Sequence, residues 1–314
     1  MAEPTTSASA SPLPGRRNSK KLLKAGPVGV AAMIIGVVAA IIVSNFAGPP
    51  EAPPATGILA AAEGPDAGAY GGNACAPVLF IGARGSAEKP TSNWTSLSAY
   101  NDTDQGMGPE IWSLYQQLLQ RSPGYIPFYP VMYPAANVFA LVDGNYELYT
   151  ASVASGASAV VSDIQRIDAA CHGQPHHYVL AGYSQGAWVI HDALHALAAE
   201  GSSKLAEISG IALFGDPDFL PYTPWVRDFK WLDLSDGSAA LFGQGYTDIP
   251  AQVAPRTASY CFPTDPVCQA STFNIKYFLP ECLIKDNPLC PHFDYVRFGE
   301  VTNAAKFLAP LLPR

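Results

Sequence analysis

Residues 176 to 197 read HHYVLAGYSQGAWVIHDALHAL, an apolar strand pattern that passes into a helix pattern across Gly182-Tyr183-Ser184-Gln185-Gly186. A G-x-S-x-G pentapeptide at such a switch is the context of a nucleophile elbow, where two glycines let the backbone turn sharply and lift the serine above a sheet. Ser184 is then a candidate nucleophile, and the Gln185 amide a candidate donor to a developing oxyanion. The pentapeptide alone also fits an ordinary turn with an inert serine; the strand before it and the helix after it favour chemistry.

Outward from the elbow, short apolar runs at 77–83, 125–132, 177–183, 208–214 and 258–262 predict strands. Stretches 108–121, 145–170 and 185–200 predict helices. Such alternation without hairpin signals predicts an α/β fold, an α/β-hydrolase with a central parallel sheet of about five strands and helices on both faces.

The chain has 314 residues, 48% hydrophobic and 14% charged, which is enough apolar material for one large core. Its first 72 residues hold five of the 18 basic and four of the 26 acidic side chains, leaving 13 against 22 in the remainder. An acidic domain of that balance argues against a nucleic-acid surface. The first 24 residues are polar and basic, with Arg16, Arg17, Lys20, Lys21 and Lys24, and 25–43 is an uncharged run, AGPVGVAAMIIGVVAAIIV. That length suits a spanning helix better than a cleaved signal, and the exit SNFAGPP has no A-x-A site. The expected plan is a basic cytoplasmic N-terminus at 1–24, a transmembrane anchor or signal segment at 25–47, a Pro/Ala/Gly-rich linker at 48–72, and a catalytic domain at 73–314 outside the membrane. The expected assembly is a monomer. All six cysteines fall between Cys75 and Cys290, after the export segment, and imply three disulfides from an oxidising compartment.

A serine nucleophile needs a histidine base, and the histidine a carboxylate, in the chain order Ser, acid, His for this fold. Only His191, His195 and His292 follow Ser184, and the first two lie on the elbow helix, so elimination makes His292 the base. Candidate acids are Asp216, Asp233, Asp236, Asp248, Asp265 and Asp286. Asp265, bracketed by Cys261 and Cys268, is preferred, because a small disulfide loop would hold its carboxylate still. Asp216, in Phe214-Gly215-Asp216-Pro217, is its rival.

With these residues in view, the chain resembles the cutinases and the cutinase-like esterases and lipases of actinobacteria. The likeness covers most of 73–314 and is carried by Cys75, Ala83-Arg84-Gly85-Ser86, Cys171, the serine pentapeptide, Cys261-x3-Asp265-x2-Cys268 and His292-x2-Tyr295. It implies Ser86 as the second oxyanion donor beside Gln185, and pairs Cys75 with Cys171 and Cys261 with Cys268; Cys282 and Cys290 pair by subtraction. In compact cutinases the histidine follows the aspartate loop closely, whereas here 269–290 intervene with their own cysteine pair. That segment carries Phe273, Tyr277, Phe278 and Leu279, and 217–250 carries Trp225, Phe229, Trp231, Phe242 and Tyr246. Beside a histidine, such residues could bind acyl chains or merely pack the domain.

His191-Asp192-Ala193-Leu194-His195 imitates a zinc helix, but its Asp is shorter than the Glu that would activate water, and no third ligand is evident. No metal or other cofactor is implied. The sequons at Asn93 and Asn101 matter only in a glycosylating host. The expectation is a serine esterase acting on carboxylic esters of lipids, in the lipase, phospholipase and thioesterase range, through an acyl-enzyme. An acyltransferase with the same triad and a silent lipid-binding envelope protein are the alternatives.

Overall fold

The computed structural model describes residues 75–171, 176–201, 203–227, 235–242, 248–284, 287 and 289–313. The N-terminal segments 1–24, 25–47 and 48–72 lie outside the described residues, as do Phe229, Trp231, Asp233, Tyr246 and Asp286. Among the described residues, no helix is long and apolar enough to cross a membrane.

Among the described residues, six parallel strands form one sheet in the order β2-β1-β3-β4-β6-β5: β1 (Val78–Ala83), β2 (Phe128–Pro130), β3 (His177–Tyr183), β4 (Ile208–Phe214), β5 (Val226–Arg227) and β6 (Thr257–Tyr260). The sixth strand corrects the expected count of five. β5 is two residues long, pairing Val226 with Ser259 and Arg227 with Tyr260 at the sheet edge, and two residues are too few to show alternation. Both sheet faces are covered because successive side chains of a strand point to opposite sides. Leu79, Ile81, Leu180, Ile211 and Leu213 pack with helices α2 (Tyr146–Ala170) and α3 (Gln185–Ala199). Phe80, Val179, Ala181, Ala212 and Phe214 pack with α1 (Gly108–Leu119) and, past the short helices α4 (Thr272–Tyr277) and α5 (Leu279–Cys282), with α6 (Glu300–Leu308).

The strand order reverses direction at β1, with β2 on one side and β3 on the other. Such a switch point leaves a crevice beyond the carboxyl ends of the two strands, where ligands bind in open α/β sheets. The loop carrying Ser86 leaves β1 there, and Ser184 leaves β3.

Disulfides join Cys75 to Cys171, Cys261 to Cys268 and Cys282 to Cys290. The first ties the start of β1 to the end of α2 across 96 positions, a loop whose closure is worth about 4–5 kcal/mol in the chain-entropy picture. Three such bonds place the folded domain in an oxidising, extracellular setting.

Candidate active site

Ser184 stands at the turn from β3 into α3 with φ 54° and ψ −122°, a conformation that costs a residue with a side chain about 1–3 kcal/mol. The turn is held because the Ser184 amide donates to the Phe214 carbonyl at 2.8 Å. The two flanking glycines are required by space. A Cβ on Gly182 would meet the Gly186 carbonyl oxygen at 2.3 Å, and one on Gly186 would meet the Ala83 and Arg84 carbonyl oxygens at 2.2 and 2.5 Å. All of these neighbours are backbone, so nothing flexible can move aside. A Gly186→Ala chain is expected to lose about 2–3 kcal/mol, read as a lower denaturant midpoint; an unchanged midpoint would mean that the loop after β1 does not rest on the elbow.

The three residues from which sequence reasoning builds a triad are 27 to 108 positions apart in sequence; Asp265 and His292 are hydrogen-bonded to each other, and Ser184 follows Tyr183, whose ring stacks on His292. Asp265 is fully buried and His292 is 5% exposed. The carboxylate Oδ2 sits 2.8 Å from His292 Nδ1 and accepts the Tyr295 hydroxyl at 2.7 Å, while Oδ1 accepts the Val267 amide at 2.8 Å. With Nδ1 bonded to a carboxylate, the proton of the neutral ring belongs on Nδ1 and Nε2 is the basic nitrogen. That Nε2 is buried and has no hydrogen-bond partner among the described residues.

Three residues to which sequence reasoning gave no role hold this arrangement. The Tyr183 ring stacks on the imidazole at 4.9 Å between centroids, and its hydroxyl donates to the His292 carbonyl at 3.0 Å. Thus the residue before the nucleophile clamps the base. Tyr295 is fully buried, and burial together with the Asp265 charge pushes its phenol well above the ordinary range, so it stays a donor. Gly215 has φ +56°, and a Cβ there would lie 2.5 Å from His292 Cε1 and 3.2 Å from Asp265 Oδ2. The carbonyl of its neighbour Phe214 accepts from Ser184, which places the imidazole against the strand end that also supports the nucleophile. The only sequence signal for these residues is His292-x2-Tyr295, where the tyrosine falls one helical turn after the base.

Ser86 Oγ is 2.9 Å from the Tyr149 hydroxyl; burial raises that phenol, and Ser86 and the Gln185 side chain oppose the rise. Gln185 Oε1 accepts from Ser152 Oγ, and its Nε2 donates to the Ala136 carbonyl, each at 3.2 Å. Tyr149 therefore links both residues expected to face the oxyanion, and neither spacing nor motif points to it. The loop before Ser86 is fixed by Arg84, fully buried, which donates to the carbonyls of Glu88, Pro90, Val131 and Tyr133.

Asp216, the rival acid, lies 3.1 Å from His191 Nδ1 and so belongs to a different pair. The His191 and His195 rings stack at 5.5 Å, and among the described residues no group of three or more His, Cys, Asp or Glu side chains could hold a metal ion. The two aromatic-rich segments differ. Trp225 is 8% exposed in the core, and Phe242 packs on Tyr146. Phe273, Tyr277 and Leu289, by contrast, are 59%, 52% and 66% exposed. Their segment is tied to the acid loop, since Asn274 Nδ2 donates to the carbonyls of Pro263 and Gln269.

A family model described as Cutinase matches residues 74–312. No curated protein matches the chain. Among solved structures, an acetyl xylan esterase is similar at 20% identity and a TM-score of 0.51, over 76% of this chain and 100% of that one. A cutinase-like protein from Cryptococcus sp. has 19% identity and a TM-score of 0.49, over 76% and 96%. A Trichoderma reesei cutinase in complex with a phosphonate inhibitor has 19% identity and a TM-score of 0.45, over 92% and 100%. The acetyl xylan esterase shares the fold.

Proposed function

We propose, from the premise that the chain belongs to the cutinase family and is a carboxylic ester hydrolase, that it cleaves acyl esters of lipids through an acyl-enzyme on Ser184. The observation that carries the site assignment is the buried, unpartnered Nε2 of His292, whose Nδ1 is held by Asp265 against the strand end that supports the Ser184 turn. In the first half-reaction, Ser184 Oγ attacks the ester carbonyl carbon and its proton passes to His292 Nε2. Asp265 stabilises the imidazolium through Nδ1–H. The Gln185 amide and Ser86 Oγ donate to the oxyanion, where one such donor is worth about 10²–10³ in rate. The tetrahedral intermediate collapses as the carbon–oxygen bond to the alcohol breaks and Nε2 returns its proton to the leaving oxygen. Water then attacks the acyl-serine with its proton going to Nε2, and the carboxylic acid leaves as Ser184 regains a proton.

The lipid substrate class rests on Phe273, Tyr277 and Leu289, large apolar side chains left in water on the segment anchored to the acid loop. Exposed apolar surface beside a catalytic base suits an acyl chain. The membrane anchor is proposed from the uncharged run at 25–43 alone.

A serine-directed organophosphonate and a graded series of p-nitrophenyl esters test both parts. The expected outcome is stoichiometric labelling at position 184. Activity on longer acyl chains should fall about three- to tenfold when Phe273 and Leu289 become serine, with acetate hydrolysis little changed. Absence of labelling together with absence of hydrolysis would defeat the enzyme reading; an unaltered chain-length profile would defeat the lipid part only.

A further inference from the structure

A second pair of acids, one buried and one partly buried, lies beside the site, unused by the reaction. Glu110, in the first turn of α1, is 7% exposed. Glu88 sits two positions after Ser86 in the loop from β1. Glu88 and Glu110 act on each other electrostatically, and two carboxylates brought together can only repel unless one of them holds a proton, because each only accepts. Glu88 Oε2 accepts the Gly85 amide at 2.5 Å. The Gly108 backbone, at φ +75°, presses on the same carboxyl so closely that a Cβ there would lie 2.0 Å from Oε2. Glu110 Oε2 is buried and has no partner among the described residues.

Charged and titratable groups face the pair from every side. Arg84, at the end of β1, attracts Glu88; Asp104, in the loop before α1, repels Glu110; His292 attracts Glu110. The phenols of Tyr133 and Tyr183 complete the surround. Burial first, and then the neighbouring Glu110, push the Glu88 carboxyl well above the ordinary carboxylate range, and burial raises Glu110 as well.

We propose that Glu88 and Glu110 form a proton-sharing strut that positions the Ser86 segment, tying the first turn of α1 to the loop after β1 and fixing the Gly85 amide. Neither residue touches substrate; both are positioning residues, and the inference rests on the reading of Ser86 as an oxyanion donor. Below the pH at which the shared proton leaves, the strut holds. Above it, two closely placed carboxylates repel, the Gly85-Ser86 turn loosens and turnover falls. The sign for stability is the same. A carboxyl raised by folding binds its proton more tightly in the native state, so the pair costs nothing at acid pH and destabilises increasingly as pH rises from the ordinary carboxylate range through the raised value.

The test is kcat and KM for p-nitrophenyl butyrate across neutral to alkaline pH in the parent, Glu110→Gln, Glu110→Met, Glu88→Gln and Ser86→Ala. Methionine keeps the length and loses the hydrogen bond, so kcat is expected to fall roughly tenfold with KM nearly constant. Glutamine donates at every pH, so it restores most of kcat and moves the alkaline limb upward by about one pH unit or more. Coincident Gln and parent limbs, or Met and Gln variants that behave alike, would overturn the strut. If Glu110→Met does not fold, Glu88→Gln reports the same limb. Unchanged kcat in Ser86→Ala would instead remove the oxyanion reading, while a lowered kcat there with coincident Gln and parent limbs removes only the strut.

Discussion

Ser184→Ala is expected to lower kcat for p-nitrophenyl esters by roughly 10⁴–10⁶-fold with KM nearly unchanged, because the substrate still binds and only the attacking oxygen is gone. The fold should persist. The Ser184 side chain makes no capping hydrogen bond to α3, so its loss leaves no orphaned partner. Alanine also inherits the same φ of 54° and therefore the same strain, so the unfolding midpoint should stay close to the parent's. A backbone held in so unfavourable a conformation is stability given up to aim a side chain, and the expected pairing of normal stability with lost turnover separates aim from architecture. Retention of more than about a hundredth of the parent rate by the alanine protein would remove Ser184 as the nucleophile.

The elbow was legible because it joins two periodicities at a fixed motif, and strand β3 and helix α3 begin and end within one residue of where the pattern places them. The same holds for α2, whose first turn is capped by the Asn145 side chain accepting from the Leu148 amide. Strands predicted at 125–132 and 258–262 shrink to Phe128–Pro130 and Thr257–Tyr260, since an apolar run marks burial while pairing marks a strand. Helix α6 buries Val301, Ala304, Ala305 and Leu308, a helical spacing confined to two turns and hidden in a C-terminal stretch without a strong start signal.

At the site, what was legible was chemistry and what was not was support. Only three histidines follow Ser184, so elimination could single one out, while the serine was marked by its motif. Tyr183, Tyr149 and Gly215 act by stacking, bridging and keeping clear, and their partners lie 109, 63 and 77 positions away. No local pattern encodes such distances. Composition likewise could not sort Trp225, which fills the core, from Phe273, which stands in water. Glu88 and Glu110 look like ordinary surface acids in the sequence until the fold puts their carboxyls together.

Asp265→Asn is the second large effect, and it distinguishes the two aspartates between which sequence alone hesitated. The asparagine is nearly isosteric and, with its oxygen in the Oδ1 position, keeps the Val267 amide, which puts its NH2 in the Oδ2 position, toward His292 Nδ1 and the Tyr295 hydroxyl. Nδ1 must then accept, the ring proton moves to Nε2, and the base can no longer take the Ser184 proton. The expected loss is about 10³–10⁴ in kcat at neutral pH, with little change in KM. Asp216→Asn should behave in the opposite way. Its carboxylate bonds His191 and the Asp218 amide, so the variant is expected to lose about 1–3 kcal/mol of stability while keeping most of its turnover. Steady-state rates and denaturant midpoints on the two variants make the comparison. Equal loss of kcat in both would mean that the His191–Asp216 pair also supports the reaction, whereas full activity in Asp265→Asn would show that His292 does not need Asp265 to hold its tautomer.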